Sequence, residues 1–143
     1  LDTDKVWFSC LVLMFQKEVA DRIISKFNTK DYGRLSILAN WRLKIKKIFD
    51  VKPTSFQPKP KVESTVLFFE PKKNFFKLKN PRNLEKITRI FFMHRRKMIK
   101  KPFSILFKEN IAYEMGIDLN LRPQNLDFNT YYELTKKYEF LRS

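Results

Sequence analysis

The sequence is poor in the residues that most often build redox, metal and nucleotide sites. It has one cysteine, Cys10, one histidine, His94, and two glycines among 143 residues. A single cysteine excludes an internal disulfide framework and a cysteine-based zinc site, and it fits a reducing cytoplasm. Neither a Walker-type nor a dinucleotide-type glycine loop is present. We expect Cys10 to be inert within a strand, and His94 to be a packed core residue rather than a ligand.

Long apolar runs are also absent. The longest, residues 6–15, is interrupted by Ser9 and is too short to span a bilayer. The first residues are acidic, so no signal peptide is evident. The carboxylates are scattered, and no two of them are spaced as an acid–base couple. The residues alone therefore predict no transmembrane segment, no metal site and no catalytic constellation.

Acidic residues are scarce relative to basic ones. Thirty Lys and Arg against fifteen Asp and Glu give a formal net charge of +15. A field of this sign attracts polyanions, with nucleic acid first and an anionic membrane second. The alternative is a basic protein whose lysines are simply solvated, and the distribution of the charges decides between the two.

Residues 1–71 alternate between strand and helix patterns, which predicts part of an α/β sheet. The first run is continuously apolar and rich in β-forming residues, as in a strand buried on both faces of a parallel sheet. The helix patterns are amphipathic, and the last two strands are expected to form a hairpin-like pair. The predicted strands are residues 5–15, 43–51 and 61–70, and the predicted helices are residues 16–26 and 32–41.

The pattern changes at Pro71. Residues 72–80 are a basic linker, and residues 81–143 show helical patterns only, which predicts a small all-helical domain. Asn80 is a suitable cap for the first helix, and Pro81 suits its first position. The inward-facing stripe of this helix is predicted to be Leu84, Ile87, Phe91, His94 and Met98.

Three more helices are predicted in the same domain. They cover residues 104–108, residues 111–115 closed by Gly116, and residues 127–140 capped by Asp127. Leu126 and Tyr131 are spaced as a hydrophobic staple at the start of the last helix. Its inward residues are predicted to be Leu134, Tyr138 and Leu141.

Basic residues are concentrated between residues 72 and 108. Thirteen lysines and arginines stand there against one acid before Glu109, which is Glu85. Repulsion among them lowers stability unless a polyanion relieves it. A row of cations on one helix face would track successive phosphates and make binding salt-dependent. A solvated helix face and an amphipathic membrane-surface helix are the alternatives. The residues whose three-, four- and seven-residue steps predict one helical face are Arg82, Lys86, Arg89, Arg96 and Lys100.

A proline-rich connector precedes the last predicted strand. Residues 55–64 read SFQPKPKVES, with Phe56 directly before two prolines that alternate with lysines. Proline fixes φ and pushes the residue before it toward extended conformations. The segment is therefore predicted to be a stiff, non-helical connector that carries an aromatic ring.

Four segments together resemble the ribosomal RNA adenine dimethyltransferase family, and in particular its bacterial small-subunit members. In chain order they are LMFQKEVADRI, DYGRLSILA, FDVKPTSFQPKPKVESTV and RIFFMHRRKMIKK. The resemblance implies an S-adenosylmethionine-dependent N6 methyltransferase with a Rossmann-like sheet and a helical domain. It implies no metal, and an immature small ribosomal subunit or its RNA as partner. A monomeric enzyme in the cytoplasm that takes part in ribosome biogenesis is expected.

The resemblance also implies that this chain is the C-terminal portion of such an enzyme. The family's glycine-rich cofactor loop, ribose-binding acid and Asn-Leu-Pro-Tyr-type motif do not occur in it. We therefore expect S-adenosylmethionine to be bound by the N-terminal half, and this chain alone to be inactive. The implied divisions are residues 1–71 for the methyltransferase sheet, 72–80 for the linker and 81–143 for an rRNA-docking domain.

The resemblance assigns roles to particular residues. Phe56 matches the aromatic beside the flipped adenine, where a ring recovers stacking energy, and Pro58 and Pro60 would hold it rigidly. Ordinary packing of Phe56 against the sheet is the alternative. Gln16, Lys17 and Glu18 are expected next to the site, at the strand edge where open α/β sheets bind ligands. The predicted RNA-binding residues are Arg82, Lys86, Arg89, Arg95, Arg96, Lys97, Lys100 and Lys101.

Two departures and two other functions stay open. His94 stands where the family more often has a polar amide, and Trp41 and Arg42 depart from its second helix. A non-catalytic rRNA-binding or ribosome-assembly module is one alternative function. A large-subunit rRNA adenine methylase of the antibiotic-resistance type is the other.

Overall fold

The structure is a computed structural model that describes residues 9–53 and 62–142. The predicted aromatic and proline site, Phe56, Pro58 and Pro60, lies outside these described residues. The strands are β1 (Leu11–Gln16), β2 (Leu43–Val51) and β3 (Ser64–Pro71). The α-helices are α1 (Lys17–Ile24), α2 (Arg34–Arg42), α3 (Pro81–Phe91), α4 (Lys100–Leu106), α5 (Glu109–Met115) and α6 (Phe128–Arg142). Short 3-10 helices cover Phe92–His94 and Pro123–Asn125.

The strands form an antiparallel sheet in the order β1-β3-β2. Leu67 at its centre lies opposite Leu13 of β1, and a bulge between Lys47 and Phe49 shifts the register of β2. The α/β class and the hairpin-like pairing of β2 with β3 are confirmed. The expectation that β1 lies in a parallel sheet is wrong for the described strands. An apolar run predicts burial, but it carries no information on the direction of its neighbours.

The expectation that β1 is buried on both faces is also wrong. Val12, Leu13 and Met14 are 55%, 44% and 53% exposed, because β1 lies at the edge of the described sheet. Cys10 is exposed and precedes the strand, where an inert position inside it was predicted.

A small cluster holds α1 against one face of the sheet. Its buried members are Ala20, Ile23, Leu43, Leu67 and Phe69. Ala20 and Ile23 are the buried residues of α1, in keeping with the amphipathic pattern predicted for residues 16–26. Each large side chain buried here stabilises the fold by roughly 1.5–3 kcal/mol. This cluster fixes the start of α1 at the end of β1.

The larger core joins α2 to the C-terminal helices. Tyr32, Ile37 and Trp41 share it with side chains of α3 and α6. The segment 72–80 also packs here, since the indole nitrogen of Trp41 donates to the carbonyl oxygen of Phe76 at 2.6 Å. The core therefore crosses the predicted boundary at residues 71–72, and the division into three parts stays a prediction. The fully buried members from α3 are Leu84, Ile87 and Phe91, and those from α6 are Tyr131 and Leu134.

The first predicted helix of the C-terminal part is shorter than its periodicity suggests. Asn80 caps it by accepting from the backbone N–H of Arg82 at 3.0 Å, as predicted. The helix ends at Phe91, and the stripe fails beyond that residue, because His94 and Met98 are exposed. Ile99 is buried instead, and its backbone N–H donates to the carbonyl oxygen of Leu121 at 2.8 Å. That contact cannot form in a continuous helix, so the chain turns.

The last two helices follow their predicted signals closely. Gly116 ends α5 with φ of +68°, the left-handed conformation that glycine adopts at least cost. Asp127 accepts from the backbone N–H of Thr130 at 2.8 Å and so caps α6. Leu141 was predicted to face inward and is 49% exposed, because the last turn of α6 extends past the core.

Candidate nucleic-acid interface

The predicted basic face is divided between two helices and a turn. Arg82, Lys86 and Arg89 lie on α3, whereas Arg96 lies in the turn before α4 and Lys100 begins α4. The prediction of one helical row is therefore wrong in its geometry. The early end of α3 at Phe91 is the reason. We call the set Arg82, Lys86, Arg89, Arg95, Arg96, Lys97, Lys100 and Lys101 the basic strip.

Most charges of the basic strip face solvent. Ion pairs in the described ranges join Lys17 to Asp21, Arg22 to Glu18, Lys47 to Asp50 and Lys137 to Glu114. None of these four pairs uses a cation between residues 72 and 108. The strip therefore presents positive charge that no acid of the described chain neutralises by direct contact. Its exposed members are Arg82, Arg89, Arg96, Lys97, Lys100 and Lys101.

Lys86 differs from the rest because it joins two helices. Its Nζ donates to the hydroxyl of Tyr138 on α6 at 2.8 Å and lies 5.1 Å from the centre of that ring. The hydrogen bond from Lys86 lowers the pKa of Tyr138. The ammonium group of Lys86 therefore has a partner within the protein, whereas the exposed cations of the strip face solvent.

Arg95 also has a structural partner. Its Nη2 donates to the carbonyl oxygens of Lys30 and Thr29, the latter at 3.3 Å. Its guanidinium carbon lies 6.0 Å from the centre of the Phe92 ring. Gly33, the residue before α2, lies close to the Arg95 side chain. A Cβ at that position would be 3.3 Å from Nη1 of Arg95. Arg95 thus fixes the loop that leads into α2.

The predicted site-adjacent residues come together at the end of β1. Gln16, Lys17 and Glu18 line an open cleft of about 510 Å³. The backbone N–H of Lys17 donates to the carbonyl oxygen of Glu63 at 2.9 Å, which places the start of β3 beside them. A hydrogen bond with Asp21, whose Oδ1 lies 3.4 Å from Nζ, raises the pKa of Lys17. The other lining residues are Asp21, Lys30, Asp31, Val62 and Glu63. We call this the strand-end cleft.

A second cleft of about 390 Å³ adjoins the first and shares Lys30 and Asp31 with it. Arg22, Arg34 and Arg95 line it. Sequence reasoning missed Arg22 and Arg34, because these cations lie on separate elements and no spacing along the chain signals that they meet. Arg34 is oriented by the carbonyl oxygen of Glu85, which accepts from its Nη2 at 3.2 Å.

Two features of nucleotide-cofactor and metal sites can be checked in the described residues, which are glycine-rich loops and clusters of metal ligands. Gly33 stands alone before α2 and Gly116 stands alone at the end of α5, so the described residues include no glycine-rich loop of the Walker or dinucleotide type. Within residues 9–53 and 62–142, no three His, Cys, Asp or Glu side chains are grouped to hold a metal ion. None of the helices in these ranges combines the length and the apolar character that a bilayer span needs.

Comparison with known sequences identifies relatives over nearly the whole chain. A family model described as ribosomal RNA adenine dimethylase matches residues 5–139. The ribosomal RNA small subunit methyltransferase A of Pelagibacter ubique is 64% identical over 138 residues, which are 95% of this chain and 53% of that protein. The protein of the same name from Rhizobium etli is 39% identical over 130 residues, which are 89% of this chain and 47% of that protein. The chain thus spans about half the length of these relatives.

Solved structures have the same fold. A dimethyladenosine transferase from Plasmodium falciparum superposes with a TM-score of 0.80 and 28% identity, over 94% of this chain and 58% of that one. The 23S rRNA methyltransferase ErmE superposes with a TM-score of 0.59 over 90% of this chain and 55% of that one. At 17% identity, the second likeness shows the fold alone.

Proposed function

This chain belongs to the ribosomal RNA adenine dimethylase family, and we propose from this that the whole protein dimethylates N6 of adenines in small-subunit rRNA. The methyl donor would be S-adenosylmethionine. The names of the two curated relatives support the small subunit as the source of the RNA. Because the chain spans about half of those relatives, its own share of this activity has to be argued from its residues.

The proposed share is RNA docking by the basic strip. The observation that carries this proposal is the exposure of six cations on α3, on α4 and in the turn between them, with no ion pair to an acid of the described chain. Such a surface binds phosphates, and it favours the folded shape of RNA over a sequence read in a groove. Arg96 and Arg89 are suited to bidentate phosphate contacts.

The proposed cofactor site lies elsewhere in the whole protein. The two glycines of this chain do not fit a nucleotide-binding loop, so no step of methyl transfer is assigned to its described residues. We expect the N-terminal half of the family protein to hold S-adenosylmethionine, and this chain to form the C-terminal part. No metal is assigned to the reaction.

The proposed role of Phe56 is to stack on the target adenine, with Pro58 and Pro60 as rigid support. The position of the strand-end cleft supports this, because Val62 and Glu63, near the end of the same connector, line it. Stacking on an aromatic ring contributes roughly 1–3 kcal/mol per base. Gln16, Lys17 and Glu18 would then lie beside the target base.

The proposed partner is the immature small ribosomal subunit, which the protein would meet as a monomer in the cytoplasm during ribosome biogenesis. The family name and the basic strip support an RNA partner. The single cysteine fits a reducing compartment.

The docking proposal is tested by reversing Arg89, Arg96 and Lys100 to Glu together. Binding of a transcript of the 3′ end of small-subunit rRNA should be lost. The slope of log K against log salt should fall by roughly 0.7–0.9 for each phosphate contact removed. Reversing three exposed lysines, Lys44 and Lys46 of β2 and Lys52 directly after it, to Glu changes the net charge equally and serves as the control. Equal losses in the two triple variants would contradict a docking role of the basic strip.

The catalytic part of the proposal needs the whole protein. We expect methyl transfer from S-adenosylmethionine to small-subunit rRNA, and none to large-subunit rRNA. This chain by itself should bind the transcript without methylating it. Phe56→Ala in the whole protein should reduce methyl transfer and leave RNA retention intact. Loss of retention with that variant would contradict the separation of docking from base positioning.

A further inference from the structure

Phe140 presents an exposed aromatic ring between two open grooves. It lies in the last part of α6 and is 69% exposed. A groove of about 480 Å³ lies on one side, lined by Phe76, Met115, Glu133, Lys136, Lys137 and Phe140. A groove of about 290 Å³ lies on the other, lined by Lys77, Leu78, Lys79, Lys136, Glu139 and Phe140. We call Phe140 with Lys77, Lys79, Lys136 and Lys137 the Phe140 surface.

The charges around this ring favour an anionic ligand. Lys77, Lys79 and Lys136 are exposed, and no ion pair of the described ranges includes them. Glu139 lines the smaller groove but is buried, and its carboxylate accepts from the backbone N–H of Lys79 at 2.9 Å. That leaves Glu133 as the exposed acid lining the grooves, against three lysines.

The aromatic rings are interleaved with these lysines. Nζ of Lys77 lies 4.1 Å from the centre of the Phe75 ring, and Nζ of Lys136 lies 5.6 Å from the centre of the Phe76 ring. Nζ of Lys137 lies 5.7 Å from the centre of the Phe140 ring. An array in which cations alternate with rings matches a single-stranded nucleic acid, because bases stack on rings while the flanking phosphates contact the cations.

We propose that the Phe140 surface binds a single-stranded segment of RNA by stacking one unpaired base on Phe140. Lys77, Lys79 and Lys136 contact the neighbouring phosphates. This inference rests on the proposed function, because it takes RNA as the ligand, and it adds a second contact surface to the basic strip. A duplex holds its bases in the stack and offers none to the ring, so this surface selects unpaired RNA.

The test compares the full chain with variants on three probes, which are an oligouridine strand, the same strand with an abasic central site, and an RNA hairpin duplex. Phe140→Ala should weaken binding of the oligouridine strand roughly tenfold. It should also remove the preference for the base-bearing strand over the abasic one. Phe140→Trp should keep that preference. Binding of the hairpin duplex should not change with either variant.

Two matched controls are present in the chain. Tyr113 is 91% exposed but lines neither groove, so Tyr113→Ala should bind the oligouridine strand like the parent chain. Lys73 is exposed in the same basic segment and lines neither groove, so Lys73→Gln should have less effect than Lys77→Gln. Far-ultraviolet circular dichroism of each variant verifies that it is folded.

The outcomes separate this inference from the docking proposal. A silent Phe140→Ala, or equal losses in Phe140→Ala and Tyr113→Ala, would overturn the Phe140 surface while hairpin binding by the basic strip stands. If the chain binds polyglutamate instead of the oligouridine strand, and if that binding depends on Phe140, the RNA-binding role of the Phe140 surface is overturned in favour of an acidic protein partner. Absence of binding to every RNA probe would contradict both proposals.

Discussion

The carboxylate of Glu139 on α6 accepts a hydrogen bond from the side-chain amide of Asn83 on α3, with 2.7 Å between Oε2 and Nδ2. The same carboxylate accepts from the backbone N–H groups of Lys79 and Asn80, each at 2.9 Å. Glu139 is only 7% exposed, so these contacts are largely shielded from water. One buried acid therefore fixes the N-terminal end of α3 against the last helix.

Replacing Glu139 should destabilise the chain far more than replacing its exposed neighbour Glu133. Glu139→Ala leaves three donors without their acceptor, and we expect a loss of about 2–3 kcal/mol in the free energy of unfolding. Glu133→Ala should change it by less than about 0.5 kcal/mol. Urea unfolding monitored by circular dichroism measures both. Similar values for the two variants would contradict the structural role of Glu139.

Arg95 and Arg96 should differ in stability although they are neighbours in the basic strip. Arg95→Ala removes the hydrogen bonds to the carbonyl oxygens of Thr29 and Lys30, and we expect a loss of about 1 kcal/mol. Arg96→Ala removes an exposed charge and should leave stability unchanged while it weakens RNA binding. Thermal unfolding and RNA titration of both variants provide the measurement. Equal thermal stabilities would show that Arg95 does not hold the loop.

Ile99→Ala should be much more damaging than Met98→Ala. Ile99 is fully buried and Met98 is 53% exposed, which reverses the order expected from an uninterrupted helix. A cavity at Ile99 should lower the free energy of unfolding by about 2–4 kcal/mol, and Met98→Ala should have little effect. Chemical denaturation distinguishes the two. A larger loss of unfolding free energy in Met98→Ala than in Ile99→Ala would contradict the early end of α3 and support a continuous helix.

Tyr32→Phe should stabilise the chain. The Tyr32 side chain is fully buried, and its hydroxyl has no hydrogen-bond partner among the described residues. Removing a buried hydroxyl of this kind raises the free energy of unfolding by about 1 kcal/mol. Tyr131→Phe is the contrasting variant, because the Tyr131 hydroxyl donates to the carbonyl oxygen of Pro123 at 2.6 Å. It should be destabilising, and equal effects of the two variants would refute the distinction.

Stability should fall in alkaline solution because three tyrosines are buried. Burial raises the pKa of Tyr32, Tyr131 and Tyr132 above the ordinary value of 10.0. Each tyrosine's contribution to the free energy of unfolding is complete below pH 10. It is lost as the pH rises from there toward the pKa of that tyrosine in the folded state. The slope reaches up to about 1.4 kcal/mol per pH unit for each group. Urea titrations between pH 9 and 11.5 measure this slope, and a flat profile would contradict it.

Local signals were the most reliable guide to the fold. The bounds of β2, the Asn80 and Asp127 caps and the Gly116 end of α5 all follow from residues close together in the chain. The early end of α3 could not be predicted in this way, because it depends on the contact of Ile99 with Leu121 across the fold. Helical periodicity cannot detect a partner that lies twenty-two residues away.

The candidate site was predictable in its residues and only partly in its arrangement. Composition indicated the cations of the basic strip, but their division between α3, a turn and α4 depends on tertiary packing. Gln16, Lys17 and Glu18 were expected next to the site at the end of the first strand; they line the strand-end cleft, and their place beside the target base stays a prediction. Nothing local signalled that Arg95 would hold the loop at Lys30, because sixty-five residues separate them.

Arg95 links the turn before α4 to the loop at Lys30, which lines the strand-end cleft. Its guanidinium group holds the carbonyl oxygen of Lys30, and Lys30 lines that cleft. A phosphate that draws Arg95 toward the RNA takes a donor away from the loop at the same moment. Under the docking proposal, RNA bound at Arg95 would therefore act on the Lys30 loop beside the cleft through one side chain, without any rotation of one domain against another.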